Sequence, residues 1–375
     1  MRSGHLWVFR DDVSNLASLP DVPIVTVVDP RGRPLGKAFF STTSRIALRM
    51  LSRRDESIDV SFWRRRIRAA ARHRERLGID STAHRLLFGE ADLVPSVIVD
   101  RYGPVLVVQF LSRGADAVKR QITEALMAEV SPEGILERSD RAVRRREGLP
   151  KSSGVLAGTV PRAVEIEMNG LRFEVHLEIG QKTGWFLDQR ENYGIARKWA
   201  SGRVADCFCY AGGFALHAAA STAVREVVAV DSSEQALEMG RTNATLNEIA
   251  NVRWEKADVF QWLKRESERR RRYGMVILDP PAFARTRSGL AGALRGYKEI
   301  NLRALGLLRP DGILITCSCS HHVTRDLFDE MLGNAARDAG RQIQLLDKRG
   351  QPPDHPVLAS MPETEYLKCV VARVL

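Results

Sequence analysis

Residues 204–219 read VADCFCYAGGFALHAA, and their reading decides the fold. An apolar strand pattern over 204–208 turns at Ala211, Gly212 and Gly213, then continues as a helical run with Phe214, Leu216, Ala218 and Ala219. A strand that turns through glycines into a helix brings backbone N–H groups up to a ligand, because no Cβ stands between them. The next strand, 226–230, ends at Asp231, and an acid at the tip of a second strand suits a ribose diol. The turn reads Y-A-G-G-F rather than G-x-G-x-x-G, so an adenosine ligand without a pyrophosphate fits better than a dinucleotide. The competing reading is a glycine-containing turn in an unrelated α/β protein.

Outward from this stretch, strands near Val204, Val227 and Met275 alternate with helices, which argues for a parallel sheet. Ligands of such sheets sit beyond the carboxyl ends of the strands. Those ends hold Asp206, Asp231, Asp258 after a short strand at 252–255, Asp279-Pro280-Pro281, and Cys317-Ser318-Cys319-Ser320. In MVILDPPAF, residues 275–283, the prolines must end the strand, and two in a row make a rigid platform suited to a flat base. In GILITCSCSHH, residues 312–322, a strand ends in small polar residues and a thiol, and a thiolate attacks carbon well and leaves readily. The plainer fate of a strand cysteine is the core, which suits Cys207 and Cys369. The pairs Cys207/Cys209 and Cys317/Cys319 also offer four thiolates to zinc, although structural zinc sites favour C-x₂₋₄-C spacing.

Upstream, short strands at 23–28, 34–40 and 44–51 make a small β-domain. SFWRRRIRAAARHRERLGI follows, with Phe62, Ile67, Ala70, Ala71 and Leu77 on one helical face and Arg64, Arg65, Arg68, Arg72 and Arg76 outside. Few acids lie within the run, so it is expected not to be self-neutralised and to be able to meet phosphates; a solvated helix is the alternative. Strands at 85–88, 96–100 and 105–110 and a helix at 117–130 come next, then a glycine- and charge-rich stretch at 144–161 that reads as a loop. Asn169-Gly170 is a hairpin signal.

A chain of 375 residues with a net charge of +11 exceeds one ordinary core and favours an anionic partner such as nucleic acid. Five cysteines in so long a chain do not suggest a disulfide framework, and the first residues lack an apolar signal region. The cytoplasm is therefore the expected compartment, with no membrane association.

The ordered segments QKTGWFLDQREN, VADCFCYAGGF, AVDSS, ADVFQWL, DPPAFA and TCSCSHH resemble bacterial large-subunit ribosomal RNA cytosine-C5 methyltransferases. RLLFGEADLVPSVIVDRYG and ILERSDRAVRRREGL are similar to that family's middle region, and the start, with HLWVF, resembles its PUA domain. The resemblance covers nearly the whole chain. It departs at Ala282, where the family often has an aromatic or basic residue, and at the additional Cys317.

The resemblance implies an α/β fold: a C-terminal Rossmann-like class I methyltransferase domain (179–375) after a small α+β domain (67–178) and a PUA-like β-barrel (1–66). It implies S-adenosylmethionine as cofactor and RNA, ribosomal in kind, as partner; homodimer formation is left open. Phe186 would border the methionine part of the cofactor, with Asp206, Tyr210 and Gly212 in the turn beneath it. Asp231 would accept from the ribose, Asp258 would face the adenine amine, and Asp279 would sit by the sulfonium, with Pro280 and Pro281 shaping the platform. Cys319 matches the family's nucleophile, and Asp279 is the nearest acid for the ring-nitrogen side. The alternatives are a base-nitrogen (guanine) methyltransferase, which needs no thiol, and a non-catalytic RNA-binding assembly protein.

Overall fold

Short alternating apolar runs at the start of the chain pair as an antiparallel sheet. Strands β1 (Trp7–Phe9), β2 (Ile24–Val28), β3 (Pro34–Phe40) and β4 (Ile46–Ser52) lie in the order β1-β4-β3-β2. Leu6, Val8, Ala38, Phe40, Leu48 and Met50 are buried in one cluster. The structure is a computed structural model that describes residues 4–14, 16, 22–140, 142–178, 183–284 and 286–375. Its contacts fall into two units: 1–167 with 175–187 and 353–364, and 168–174 with 188–352 and 365–375.

Helix α1 (Val60–Glu75) starts at Asp59, whose side chain accepts from the Phe62 N–H at 3.0 Å. It buries Phe62, Trp63, Ile67 and Ala70, and these join Phe39 and Leu51 of the first sheet in one core. A domain boundary after residue 66 falls inside this helix, so cutting there splits an apolar face that packs as one piece. The arginine-rich run also has more carboxylate partners than its local sequence suggests. Arg64 and Arg68 bind Glu129 at 2.6 and 2.7 Å, Arg65 binds Glu56 at 2.8 Å, and buried Arg74 binds Asp92 at 2.6 Å. These acids arrive from other segments, which is why the run alone appeared unpaired.

A five-stranded sheet follows. It is built from β5 (Ala83–Phe88), β6 (Val97–Tyr102), β7 (Val105–Phe110), β8 (Gly134–Ser139) and β9 (Ser152–Gly158), in that order. Between them come α2 (Arg113–Ala117), α3 (Lys119–Val130) and α4 (Val143–Arg146). The stretch read as a loop at 144–161 thus contains a short helix and an edge strand, β9, antiparallel to β8. β9 is held by backbone pairing, has no fully buried residue and includes two glycines, so it carries no apolar alternation to read. Strands β10 (Ala163–Met168) and β11 (Leu171–His176) form the expected hairpin. Asn169 and Gly170 have φ of 50° and 75°, both positive as a type I′ turn requires.

The second unit is the α/β alternation. It contains α5 (Arg190–Trp199), β12 (Gly202–Cys207), α6 (Gly213–Ala219), β13 (Val224–Asp231), α7 (Glu234–Leu246), β14 (Val252–Lys256), α8 (Val259–Glu268) and β15 (Tyr273–Leu278). It ends with α9 (Leu290–Leu307), β16 (Leu308–Ser318), α10 (Arg325–Asp338), β17 (Ile343–Arg349) and β18 (Lys368–Val374). The strand order is β14-β13-β12-β15-β16-β18-β17. The first five strands are parallel, and β18 runs antiparallel to both its neighbours. Central positions such as Ala205, Val228, Val276 and Leu314 are wholly buried, as covering both faces of a parallel sheet demands. From β12 the chain winds outward to β13 and β14, and from β15 to β16 on the other side. The carboxyl ends of β12 and β15 therefore flank the switch point where such sheets bind ligands. Among the described residues no helix is long and apolar enough to cross a membrane.

Candidate active site

The turn after β12 is conformationally unusual. Phe208, Tyr210 and Gly212 have φ of 65°, 48° and 86°. Two side-chain-bearing residues in the left-handed region cost energy, and such strain concentrates at functional turns. Asp231 at the end of β13 secures the turn: Oδ2 accepts the Tyr210 N–H at 3.0 Å and Oδ1 the Ser233 N–H at 2.9 Å. The glycines have a packing reason beyond the approach of a ligand. A Cβ on Gly212 would meet the Trp254 ring at 2.6 Å, and one on Gly213 would meet the Tyr193 ring at 2.5 Å.

Asp206, in β12, is fully buried. Neither of its carboxylate oxygens makes a well-formed hydrogen bond among the described residues, and only the Ala215 N–H acts on them. Burial pushes its pKa well above the usual carboxylate range, the charges of Asp279 and Asp231 push the same way, and the Ala215 N–H opposes them. The Tyr193 hydroxyl is likewise pushed up, by burial first and then by Asp279, Asp188 and Asp206. Asp279 follows β15 and accepts from Gln189 Nε2 at 2.9 Å. Asn192 Nδ2 donates to Gln189 Oε1 at 2.7 Å, and Arg349 Nε donates to Asn192 Oδ1 at 3.0 Å, so a relay fixes the amide that faces Asp279. Asp206, Asp231 and Asp279 thus come together. Asp258 instead caps α8, accepting the Gln261 N–H at 3.0 Å, and is exposed. Pro280 is buried and Pro281 exposed. Phe186 is half-buried and belongs to the first unit; Gln181 and Lys182, which precede it, lie outside the described residues.

The thiols divide by position. Cys317 is buried in β16 opposite Cys369 of β18, and burial, then Cys369 and Asp279, push its thiol pKa up against a bond from Gln189. Cys207 and Cys209 are buried and pushed up as well, chiefly by burial. Such thiols are poor sources of thiolate. Cys319 lies just past the end of β16 and is half-buried. Its flanking serines are anchored: the Ser318 hydroxyl donates to Tyr297 Oη at 3.0 Å, and Tyr297 Oη and Ser320 Oγ are 3.0 Å apart. Ser320 Oγ also accepts the Ala284 N–H at 3.3 Å, which ties the segment after the two prolines to the segment holding Cys319. Buried Lys368 donates to the carbonyls of Ser320 at 2.8 Å and Tyr366 at 2.7 Å. Burial lowers its pKa to about 8, while the charge of Cys319 draws it up. Among the described residues no group of three or more His, Cys, Asp or Glu side chains is placed to hold a metal.

Sequence reading missed Gln189, Tyr297 and Lys368. Gln189 stands in the quoted DQREN segment but carried no assignment, Tyr297 lies mid-helix without a local signal, and Lys368 opens the strand whose Cys369 was read only as core.

An S-adenosylmethionine-dependent methyltransferase family matches residues 117–370, and a PUA-like domain family matches residues 1–53. Ribosomal RNA large subunit methyltransferase I of Tolumonas auensis is 42% identical over 380 residues, spanning 99% of this chain and 96% of that relative. The chain belongs to this family of S-adenosylmethionine-dependent methyltransferases. The Salmonella typhi relative of the same name is 40% identical over 381 residues, spanning 99% of this chain and 94% of its own. Among solved structures, a protein described as a SAM-dependent methyltransferase from Streptococcus mutans superposes with a TM-score of 0.84 at 20% identity, covering 100% of this chain and 96% of that one. Methyltransferase SMU.776, complexed with SAH, gives 0.85 at 21% identity, with 100% and 96% covered. These two likenesses show the fold, a class I methyltransferase fold behind a PUA-like domain. The residues present fit the cofactor. A fully buried carboxylate that faces only the Ala215 N–H, with two more acids beside it, suits a ligand that brings positive charge, and S-adenosylmethionine carries a sulfonium and an ammonium.

Proposed function

We propose that this methyltransferase acts on carbon 5 of a cytidine in large-subunit ribosomal RNA, with Cys319 as the nucleophile. The RNA class rests on the names its relatives carry and on the PUA-like match; the cytosine chemistry rests on Cys319. That thiol is half-exposed past the end of β16, on a segment tied through Ser320 to the one after Asp279-Pro280-Pro281. A base-nitrogen methyltransferase needs no thiol there.

Carbon 5 of cytosine is a poor nucleophile until something adds at carbon 6. The Cys319 thiolate forms a bond to carbon 6, and the displaced electron pair makes carbon 5 nucleophilic. S-adenosylmethionine supplies the electrophilic methyl group. Loss of the carbon-5 proton then returns a pair to the 5,6 bond and expels the thiolate. As the ring takes up a proton at nitrogen 3 on thiolate addition, the ionised Asp279 accepts a hydrogen bond from that N–H, with Gln189 holding its other oxygen. The Lys368 ammonium favours the thiolate form of Cys319. For the cofactor, Asp206 and Asp279 answer its positive charge, Asp231 the ribose and Asp258 the adenine edge. Tyr210, Gly212 and Pro280 shape the turn and platform, and Phe186 borders the methionine part. The PUA-like residues 1–53 hold RNA, and the protein works in the cytoplasm.

Replacing Cys319 by Ala should abolish methylation of cytidine in an RNA transcript while leaving the melting temperature and cofactor affinity unchanged. Cys317→Ala should stay active. An active Cys319→Ala protein that methylates a base nitrogen would sink the covalent reading.

A further inference from the structure

A cleft of about 430 Å³ opens between the end of β4 and α1. Among the described residues its wall carries four guanidinium groups, Arg53, Arg54, Arg65 and Arg66, and one carboxylate, Glu56. Glu56 is already engaged: Oε2 binds Arg65 at 2.8 Å and Oε1 accepts the Ser52 hydroxyl at 2.5 Å. The adjacent Asp55 is paired with Lys37 at 2.8 Å. Arg66 is half-buried, donates to the Leu51 carbonyl at 3.2 Å and rests over the Phe62 ring at 5.1 Å. Its pKa is lowered by burial, with Glu56 opposing and the charges of Arg65 and Arg54 adding to the fall. These cations repel one another around a concavity, and the repulsion is relieved when an anion enters. Leu6, Met50 and Leu93 add apolar surface to the wall.

Guanidinium groups together with apolar surface match a phosphate joined to a base, and the volume lies in the range that holds a ligand of that size. We propose that this cleft binds one unpaired nucleotide of the RNA substrate, its phosphate among Arg53, Arg54 and Arg66, as an anchor that shares no lining residue with the methylation site. The proposal rests on RNA being the substrate, as read above. Three of the four arginines lie beyond the matched PUA-like residues 1–53, so the anchor joins that domain to the helix after it.

The test titrates the full-length protein into a fluorescein-labelled, mixed-sequence, single-stranded RNA 20-mer at several salt concentrations, read by anisotropy. Arg54→Gln/Arg66→Gln should weaken binding at least tenfold and flatten the slope of log affinity against log salt by roughly 1.4, since each lost phosphate contact on single strands removes about 0.7. Arg72→Gln/Arg76→Gln, exposed in the last turn of the same helix and at its C-cap, removes equal charge and should change affinity less than about twofold, as diffuse charge alone requires no specific contact. Melting temperature and S-adenosylmethionine affinity should stay unchanged in both. If the first variant misfolds, Arg53→Gln/Arg54→Gln, outside the helix, makes the same comparison. Cytidine 5′-monophosphate should compete with RNA on the wild type more strongly than inorganic phosphate does. Equal losses in the two double variants would overturn the cleft in favour of a general field. Unchanged RNA binding in the cleft variant, with the wild type still binding, would overturn the cleft and leave the RNA reading standing. Tight cytidine monophosphate binding that does not displace RNA would make this a free-nucleotide site and overturn the proposal. A wild type that binds no RNA would remove the functional reading and the anchor together.

Discussion

A carboxylate enclosed at the end of β12 costs stability whenever it is charged without a partner. Asp206 is in that position, and its pKa is raised above the unfolded value. The native protein therefore keeps a proton that the unfolded chain has released, so its stability falls as pH rises above the ordinary carboxylate range. Thermal melts of the cofactor-free protein from pH 5 to 8 should show wild type losing stability relative to Asp206→Asn as pH rises, while the variant binds S-adenosylmethionine more weakly. Parallel melting curves would remove the charge of Asp206 from the account. Asp231 spends both oxygens on backbone N–H groups and is half-exposed. Calorimetry on Asp231→Ala should show cofactor binding weakened by about 1–3 kcal/mol, the cost of losing an acceptor for charge-assisted hydrogen bonds. Unchanged affinity would take Asp231 out of the site. These acids were legible in the sequence because each interrupts an apolar strand at its end. Gln189 and Tyr297 were not, because a polar residue beside or within a helix becomes part of a site only through tertiary contact.

At the scale of elements, the pairing of β16 with β18 brings chemistry together that lies about fifty residues apart in the chain. Ser318 stands opposite Lys368, so the residue after Ser318 lies beside that buried ammonium. Lys368 titrates near pH 8, below the usual lysine range, so its charge is present below that pH and lost above it. If that charge supports the Cys319 thiolate, wild-type methyl transfer should decline as pH rises through about 8. Lys368→Met should be slower by about tenfold, one pKa unit's worth of thiolate stabilisation, and should lack that decline. An unchanged pH–rate profile would reduce Lys368 to a structural role. The strand order was legible in outline because buried parallel strands are apolar throughout. β9 was not, since an exposed edge strand is defined by its backbone partner. α1 was legible as a helix, but its carboxylate partners are Glu56 before it and Asp92 and Glu129 well after it, beyond any local pattern.

Across the whole molecule, a basic chain joins a PUA-like start to a class I methyltransferase sheet. The family was legible from the order of its motifs. The target atom is a finer matter, because class I sheets with an acid and two prolines after a strand serve several acceptors and only the thiol selects among them. If Cys319 attacks carbon 6 as proposed, the target must be unpaired or flipped, because carbon 6 of a stacked base cannot be reached. The most direct measurement incubates the wild-type protein and S-adenosylmethionine with large-subunit ribosomal RNA transcribed with 5-fluorocytidine, then resolves the mixture on a denaturing gel with mass spectrometry. Fluorine cannot leave carbon 5 as the proton does, so the account predicts a stable protein–RNA adduct that carries one added methyl and maps to Cys319. Methylated RNA with no adduct, or an adduct on another residue, would contradict it.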